Sequence, residues 1–188
     1  MLSPSLTFLI LAGCDPVTLD APDPTVEADT DTDTDVDSDS DTDADSDTDV
    51  PVPGDAALNE MLSLSNDGSS DWVELYNEGE LELDLEGWAI TDHYGVFDPY
   101  VFEEGSVVPA QGFLVLLADG EDRVGQNIHL SFRLAVAGET LTLLDDEGDV
   151  HDEVTFPELP AGSSWAAVPD GGDDWEVSQP TPGGSNDP

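Results

Sequence analysis

From Ala56 onward, apolar and polar residues alternate almost one by one. In Leu81-Glu82-Leu83-Asp84-Leu85 the alternation is strict, and in Trp72-Val73-Glu74-Leu75-Tyr76-Asn77 nearly so. Side chains two positions apart share a face of a β-strand, whereas a helix repeats every 3.6 residues, so the pattern selects strands with one covered face. Phe113-Leu114-Val115-Leu116-Leu117 is a continuous apolar run and predicts a strand covered on both faces. Leu141-Thr142-Leu143-Leu144 and the segment Val150–Phe156 flank Asp145-Asp146-Glu147-Gly148-Asp149, which reads as a hairpin loop. Glycine and proline punctuate the chain at short intervals, and no segment shows helical periodicity. Many short strands with regular turn signals predict an all-β fold, a sandwich or a barrel. About 130 residues are enough for one such core.

The chain before this domain has the opposite character. In residues 29–49, DTDTDTDVDSDSDTDADSDTD, aspartate alternates with small residues. Prolines stand at both ends of the wider segment (Pro16, Pro22, Pro24, then Pro51 and Pro53), and no aromatic occurs in it. Such a segment buries too little surface to offset the entropy of ordering, so residues 14–54 are expected to form a disordered acidic tether. In an extended chain alternate carboxylates stand about 7 Å apart. That is inside a Debye length of roughly 8–10 Å, and each neighbouring pair repels by about 0.6 kcal/mol even in water. Self-repulsion stretches the tract to a reach on the order of 100 Å. An EF-hand loop also begins D-x-D-x-D, but it needs a glycine at the sixth position and a glutamate at the twelfth. The tract has neither, which leaves diffuse counterion binding by a solvated spacer.

The formal net charge of −43, with no lysine and only Arg123 and Arg133, bears on partners. Nucleic acid is excluded, because phosphate binding needs many cationic side chains to release counterions. Attachment to anionic lipid headgroups by charge is excluded for the same reason. Calcium is the class of ion that such a surface attracts, through hard oxygen ligands.

Cys14 is the one cysteine, so no internal disulfide forms. Residues 1–14 read MLSPSLTFLILAGC, and the apolar run Leu6–Ala12 is too short to span a bilayer. It suits the hydrophobic region of a secretory signal. Leu11-Ala12-Gly13-Cys14 resembles a bacterial lipobox, although no Lys or Arg precedes the apolar run. The resemblance implies that residues 1–13 are a lipoprotein signal peptide and that Cys14 is diacylated and becomes the new N-terminus. Two or more acyl chains anchor stably, at about 0.8 kcal/mol per buried methylene. The partner implied is the lipid bilayer, and the location a bacterial membrane, at the outer membrane and cell surface or on the periplasmic face.

Candidate chemistry in the domain is sparse. His93, His129 and His151 lack the spacing of a zinc site, and His129 is expected to hydrogen-bond in a turn or at a strand edge. Gly162-Ser163-Ser164-Trp165-Ala166 fails the G-x-S-x-G elbow, because Ala166 stands where the second glycine belongs, and Ser164 reads as a strand-edge residue. Acids are so abundant that no single pair stands out as a glycosidase dyad. Asp119-Gly120-Glu121-Asp122 and Asp145–Asp149 each gather carboxylates within a turn, an arrangement open to calcium or to plain solvation. Tyr94, Phe97 and Tyr100 would form either a contact patch or the closed end of the core. No catalytic residue, cofactor or metal ligand is predicted beyond the calcium alternative.

Several groups of residues together resemble a lamin-tail domain. They include Leu58-Asn59-Glu60, Asn66-Asp67-Gly68, Asp71–Asn77, Asp84-Leu85-Glu86-Gly87-Trp88 and Thr91-Asp92. Further matches are Val108-Pro109-Ala110, Gly112-Phe113-Leu114, Ala118-Asp119-Gly120, His129, Gly138-Glu139, Trp175 and Pro180-Thr181-Pro182-Gly183 with Asn186. The resemblance covers nearly all of residues 56–186 and implies an immunoglobulin-like β-sandwich over residues 55–188. Trp72 and Trp88 are expected to supply core area, Gly87, Gly112 and Gly138 to serve bends, and Pro109 to fix a turn. The function expected is display of a binding or interaction module for an unknown protein or glycan ligand, not catalysis. The alternatives are an accessory module or small hydrolase of the cell envelope, with an acidic or calcium-dependent site, and a purely structural envelope component.

Overall fold

A computed structural model describes residues 52–93, Gly95 and 98–187. Cys14, the signal segment and the aspartate tract 29–49 lie outside the described residues, as do Tyr94 and Phe97. The described chain is all β. In order come β1 (Ala56–Leu62), β2 (Asp71–Asn77), β3 (Leu83–Asp84), β4 (Ala89–Thr91), β5 (Tyr100–Val101), β6 (Val107–Val108) and β7 (Gly112–Ala118). There follow β8 (Arg123–Val124), β9 (Ile128–His129), β10 (Gly138–Leu144), β11 (Val150–Pro157), β12 (Ser164–Ala167) and β13 (Trp175–Ser178).

Two sheets face each other. The larger has seven strands in the order β13-β12-β1-β2-β7-β9-β8, the smaller four in the order β11-β10-β4-β5, and β3 pairs with β6 separately. Leu58, Met61, Val73, Leu75 and Leu116 from the large sheet meet Ile90, Leu141, Leu143 and Phe156 from the small one in a single core. This is the immunoglobulin-like sandwich expected, and the hairpin β10–β11 encloses the loop 145–149 as the alternation indicates.

The β1–β2 ladder decides what lies on each face. Leu58 pairs with Leu75 and Met61 with Val73, all fully buried in the core. Without an irregularity Glu60, two residues after Leu58, would join them. A bulge between Leu58 and Glu60 adds one residue, Asn59, and turns Glu60 to the opposite face. Glu60 therefore pairs with Glu74 on the outer face of the large sheet.

Other expectations resolve in detail. Only Leu83–Asp84 of the alternating run 81–85 becomes strand. The run ends early because Asp84 Oδ1 accepts the Glu86 N–H at 3.0 Å and Gly87 turns with φ +83. Phe113–Leu117 is covered unevenly: Leu116 is fully buried, and the others are half-buried. Trp72 is buried on the outer face, whereas Trp88 is half-buried with its ring edge-on to His151, centroids 4.6 Å apart. Gly138 takes φ +87. Gly112 keeps negative φ and closes the turn at Pro109, whose carbonyl accepts its N–H at 3.1 Å. Tyr100 is buried, edge-on to Phe102 at 5.4 Å, so this residue closes the core. Val52 is already docked: its carbonyl accepts the Glu80 N–H at 3.0 Å.

Candidate functional site

The groups of acids in the domain differ in what satisfies them. The first is the buried pair made by the bulge. Glu60 and Glu74 are both fully buried, opposite each other across two strands, where like charges repel. The C-terminal arm after β13 seals them. Thr181 donates its N–H to both Glu60 oxygens at 3.1 Å and its hydroxyl to Oε2 at 3.0 Å. Gly183 donates its N–H to Glu74 Oε2 at 2.6 Å, and Asn59 Nδ2 donates to Oε1 at 3.0 Å. Asn59 also donates to Asp170 Oδ1 at 3.1 Å and accepts the Gly171 N–H at 2.9 Å. Asn186 Nδ2 donates to the carbonyls of Asn59 and Ala167, each at 3.1 Å.

Burial pushes the Glu74 carboxyl up to about 7, against the N–H bonds from Gly183 and Asn59, and burial raises Glu60 as well. The network thus accounts for Leu58-Asn59-Glu60, Glu74 and Pro180–Gly183 with Asn186 in the sequence. Every hydrogen bond in it runs within the domain, so it fastens the arm and offers no open site. Asn77 does similar work at the other end of β2. Its Oδ1 accepts the N–H groups of Asp55 at 3.0 Å and Gly79 at 2.9 Å. Its Nδ2 donates to the carbonyl of Leu81 at 2.9 Å.

The calcium alternatives are already engaged. Asp119, Glu121 and His129 bring ligand atoms within 4.8 Å of one another, and so do Asp145, Glu147 and Asp149. Asp119 Oδ2 hydrogen-bonds His129 Nδ1 at 2.6 Å, and its Oδ1 accepts the Glu121 N–H at 3.1 Å. Burial opposes ionisation of Asp119, but the bonds from His129 and Glu121 prevail and hold its carboxyl below the usual range. Glu121 pairs with Arg123 at 2.6 Å. In the hairpin loop, Asp145 Oδ1 accepts the N–H groups of Glu147 at 3.0 Å and Asp149 at 2.9 Å, which builds the turn without an ion. His129 is buried and hydrogen-bonded as expected, but in β9, an interior strand between β7 and β8, and not in a turn or at a sheet edge. His93 stands apart from it, beside Asp92 at 3.2 Å. Ser164 opens β12, an interior strand between β13 and β1, where it is buried and donates towards the Ser178 carbonyl at 3.4 Å. It is no strand-edge residue and no exposed nucleophile.

The second group of acids surrounds an open cleft of about 500 Å³. β12 covers the flank of β1 only at Glu60 and Met61, so the flank at Ala56–Leu58 has no strand beside it. Side chains of β11 close the gap: Asp152 Oδ2 accepts the Leu58 N–H at 2.8 Å, and His151 Nε2 lies 3.0 Å from the Ala56 carbonyl. The cleft opens next to this join. Glu153 and Thr155 line it from the small sheet, and Trp165 and Trp175 from the large one. The two indoles are stacked, 6.5 Å between centroids and 18° between planes. Trp165 pairs with Met61 across the ladder, so it faces the core side, where the small sheet stops short of it. Asp55, Glu78 and Asp173 stand around the mouth, all exposed.

Sequence reasoning missed this cleft because its residues are scattered over five segments. The available signal was Trp165 and Trp175, two tryptophans in short strands at the end of a small domain.

No curated protein matches the chain. The model of the Lamin Tail Domain matches residues 50–158, more than half of the chain. The acceptors Glu60 and Glu74 fall inside the matched range, and the donors of the C-terminal arm lie beyond it. The immunoglobulin-like fold of that family is compatible with a role in interaction without catalysis. On that match the chain belongs to the lamin tail domain family.

Proposed function

We propose that the chain is a lipid-anchored protein of the bacterial envelope whose lamin-tail sandwich is a displayed binding module. In this reading Cys14 carries the acyl chains, at the outer membrane and cell surface or on the periplasmic face. Residues 14–54 then hold the domain away from the bilayer as a charged tether. The lipobox-like Leu11–Cys14 and the aspartate comb support the anchor and the spacer. The cleft supports the binding part. There aromatic faces and a strand edge converge with exposed carboxylates, of which Asp55 lies 2.9 Å from His151 Nε2. Concave sites lined by aromatics with a few polar groups are where ligands dock, and Trp is enriched at binding hot spots.

Two experiments test the two halves. Labelled palmitate enters the wild-type chain in a bacterial host and not Cys14→Ala; continued labelling of the variant removes the anchor. Full-length chain immobilised against a native envelope extract captures a partner that the Trp165→Ala/Trp175→Ala variant does not. Equal capture by that variant, folded by its melting curve, places binding elsewhere.

A further inference from the structure

The shape and charge of the cleft narrow what can fill it. We infer that it takes an extended, lysine- or arginine-bearing segment of another protein, added as a fifth strand along the free edge of β11. This deepens the binding reading above and rests on it.

The first support is the mismatch between the sheets. Among the described residues the small sheet ends at β11, paired with β10 alone, while the large sheet continues past β1 through β12 and β13. On the free side, the Glu153 N–H donates to the neighbouring Asp152 carboxylate at 2.7 Å. Backbone groups alternate along an antiparallel strand, so the N–H and C=O of Thr155 point the same way. Pro157 ends the strand, a common way to limit an open edge. A segment laid beside β11 would pair with the backbone of Thr155 and with the Glu153 carbonyl, and cover Trp165 and Trp175, as in strand addition to other sheet edges.

Charge then selects the occupant. The mouth carries Asp55, Glu78, Glu153 and Asp173; His151, the one lining residue able to hold a positive charge, lies 2.9 Å from Asp55, so Glu78 and Asp173 are the carboxylates left open. Lysine or arginine side chains complement both the carboxylates and the indole faces. The chain cannot fill its own cleft in this way. It has no lysine, and Arg123 and Arg133 stand outside the lining. The aspartate tract, or a second copy at −43, would bring like charge to like.

The test titrates the full-length chain in detergent, with its indoles labelled for NMR, against three probes. They are a capped peptide of about eight residues alternating lysine and valine, the same peptide with glutamate for lysine, and a neutral oligosaccharide. The lysine peptide is expected to shift the Trp165 and Trp175 indole signals and leave that of Trp72 in place. Its affinity should fall at least about tenfold between roughly 0.05 and 0.5 M salt. The glutamate peptide should not bind. Thr155→Pro, which removes the outward N–H, should weaken the lysine peptide by about tenfold or more. The surface pair Glu78→Gln/Asp173→Asn should weaken it too, whether or not the proline variant folds. Equal binding of the two peptides, no binding of the lysine peptide, or wild-type affinity in both variants overturns the inference. If the oligosaccharide alone shifts the two indoles, the cationic strand is wrong and the cleft still stands as the binding face. If capture from envelope is indifferent to the two tryptophans, the binding-face reading itself fails.

Discussion

The acids under the C-terminal arm and the acids around the cleft belong to one highly charged chain but obey opposite rules. Glu60 and Glu74 are fully buried, and each is met by N–H or O–H donors from Asn59, Thr181 and Gly183. Asp55, Glu78 and Asp173 are exposed, and no lysine or arginine lines the cleft beside them. Buried carboxylates without donors are too costly to keep, so the chain supplies donors wherever it seals an acid. Where it leaves acids open, Asp55 has only His151 beside it, at 2.9 Å, and Glu78 and Asp173 face solvent or another molecule. The contrast separates the part of the sequence that fastens the fold from the part that is free to bind.

Breaking the sealed side should give the largest effect. Asn59→Leu removes the donor to Glu74 and Asp170 and the acceptor for Gly171 in one step. Leaving such groups buried and unpaired costs about 3–5 kcal/mol. Asp173→Asn at the cleft mouth should stay within about 0.5 kcal/mol. Denaturant unfolding of both variants measures the difference. Similar losses in the two would erase the distinction drawn between the groups.

The next effect is on pH. Glu74 has its ordinary value of 4.5 when unfolded and about 7 when folded. The folded state therefore binds the proton more tightly. The stability this contributes is fully present below pH ~4.5 and is lost as pH rises through about 7, a fall of roughly 3 kcal/mol. Glu60, raised by burial, adds in the same direction. Asp119, held low by His129, acts oppositely and weakens the fold only under more acidic conditions. Melting temperature should therefore drop between mildly acidic and neutral pH. In Glu74→Gln the slope should flatten, and the variant should be weaker than wild type at low pH, where it loses an acceptor. A wild-type curve that rises over this interval would contradict the protonated, sealed pair.

Loss of Trp175 should be smaller for stability than for binding. The indole is only partly buried and stacks on Trp165. Trp175→Ala should cost about 1–2 kcal/mol, below the 3–5 kcal/mol of a fully buried aromatic. Capture of a partner at the cleft should disappear. A variant that keeps its partner while losing stability would mark the tryptophans as ordinary core.

Much of this contrast was legible in sequence, for reasons that differ by residue. The period of two in residues 72–77 gave the strands, because one face had to be apolar. The same rule misplaces Glu60, since the bulge at Asn59 shifts the count by one and nothing in local alternation marks it. Asn59, Thr181, Gly183 and Asn186 could be recognised as members of a pattern, but their work appears only when the arm folds over β1 and β2. Their spacing in sequence exceeds a hundred residues. The cleft was less visible still. It arises where β12 stops covering β1, a property of strand lengths in two different sheets that no single segment encodes.

The smallest expected effect concerns calcium, and it sharpens the rule about donors. The hairpin loop 145–149 and the group Asp119, Glu121 and His129 both place carboxylates close together, as a calcium site requires. Yet Asp145 Oδ1 already accepts two backbone N–H groups, Asp119 is bound to His129 and the Glu121 N–H, and Glu121 is paired with Arg123. At Asp119, Glu121 and His129 an ion would have to displace such bonds, and Arg123 beside that group adds repulsion; at the hairpin the turn already stands on its own backbone donors. Melting with millimolar calcium and with EDTA should therefore give the same midpoint. Asp145→Asn, which keeps the Oδ1 acceptor, should remain as stable as wild type, whereas Asp145→Ala should lose about 1 kcal/mol through the opened turn. A calcium-dependent rise that Asp145→Asn abolishes would show that an acid satisfied by its own backbone still binds a partner. The division between sealed and open acids would then have to be redrawn.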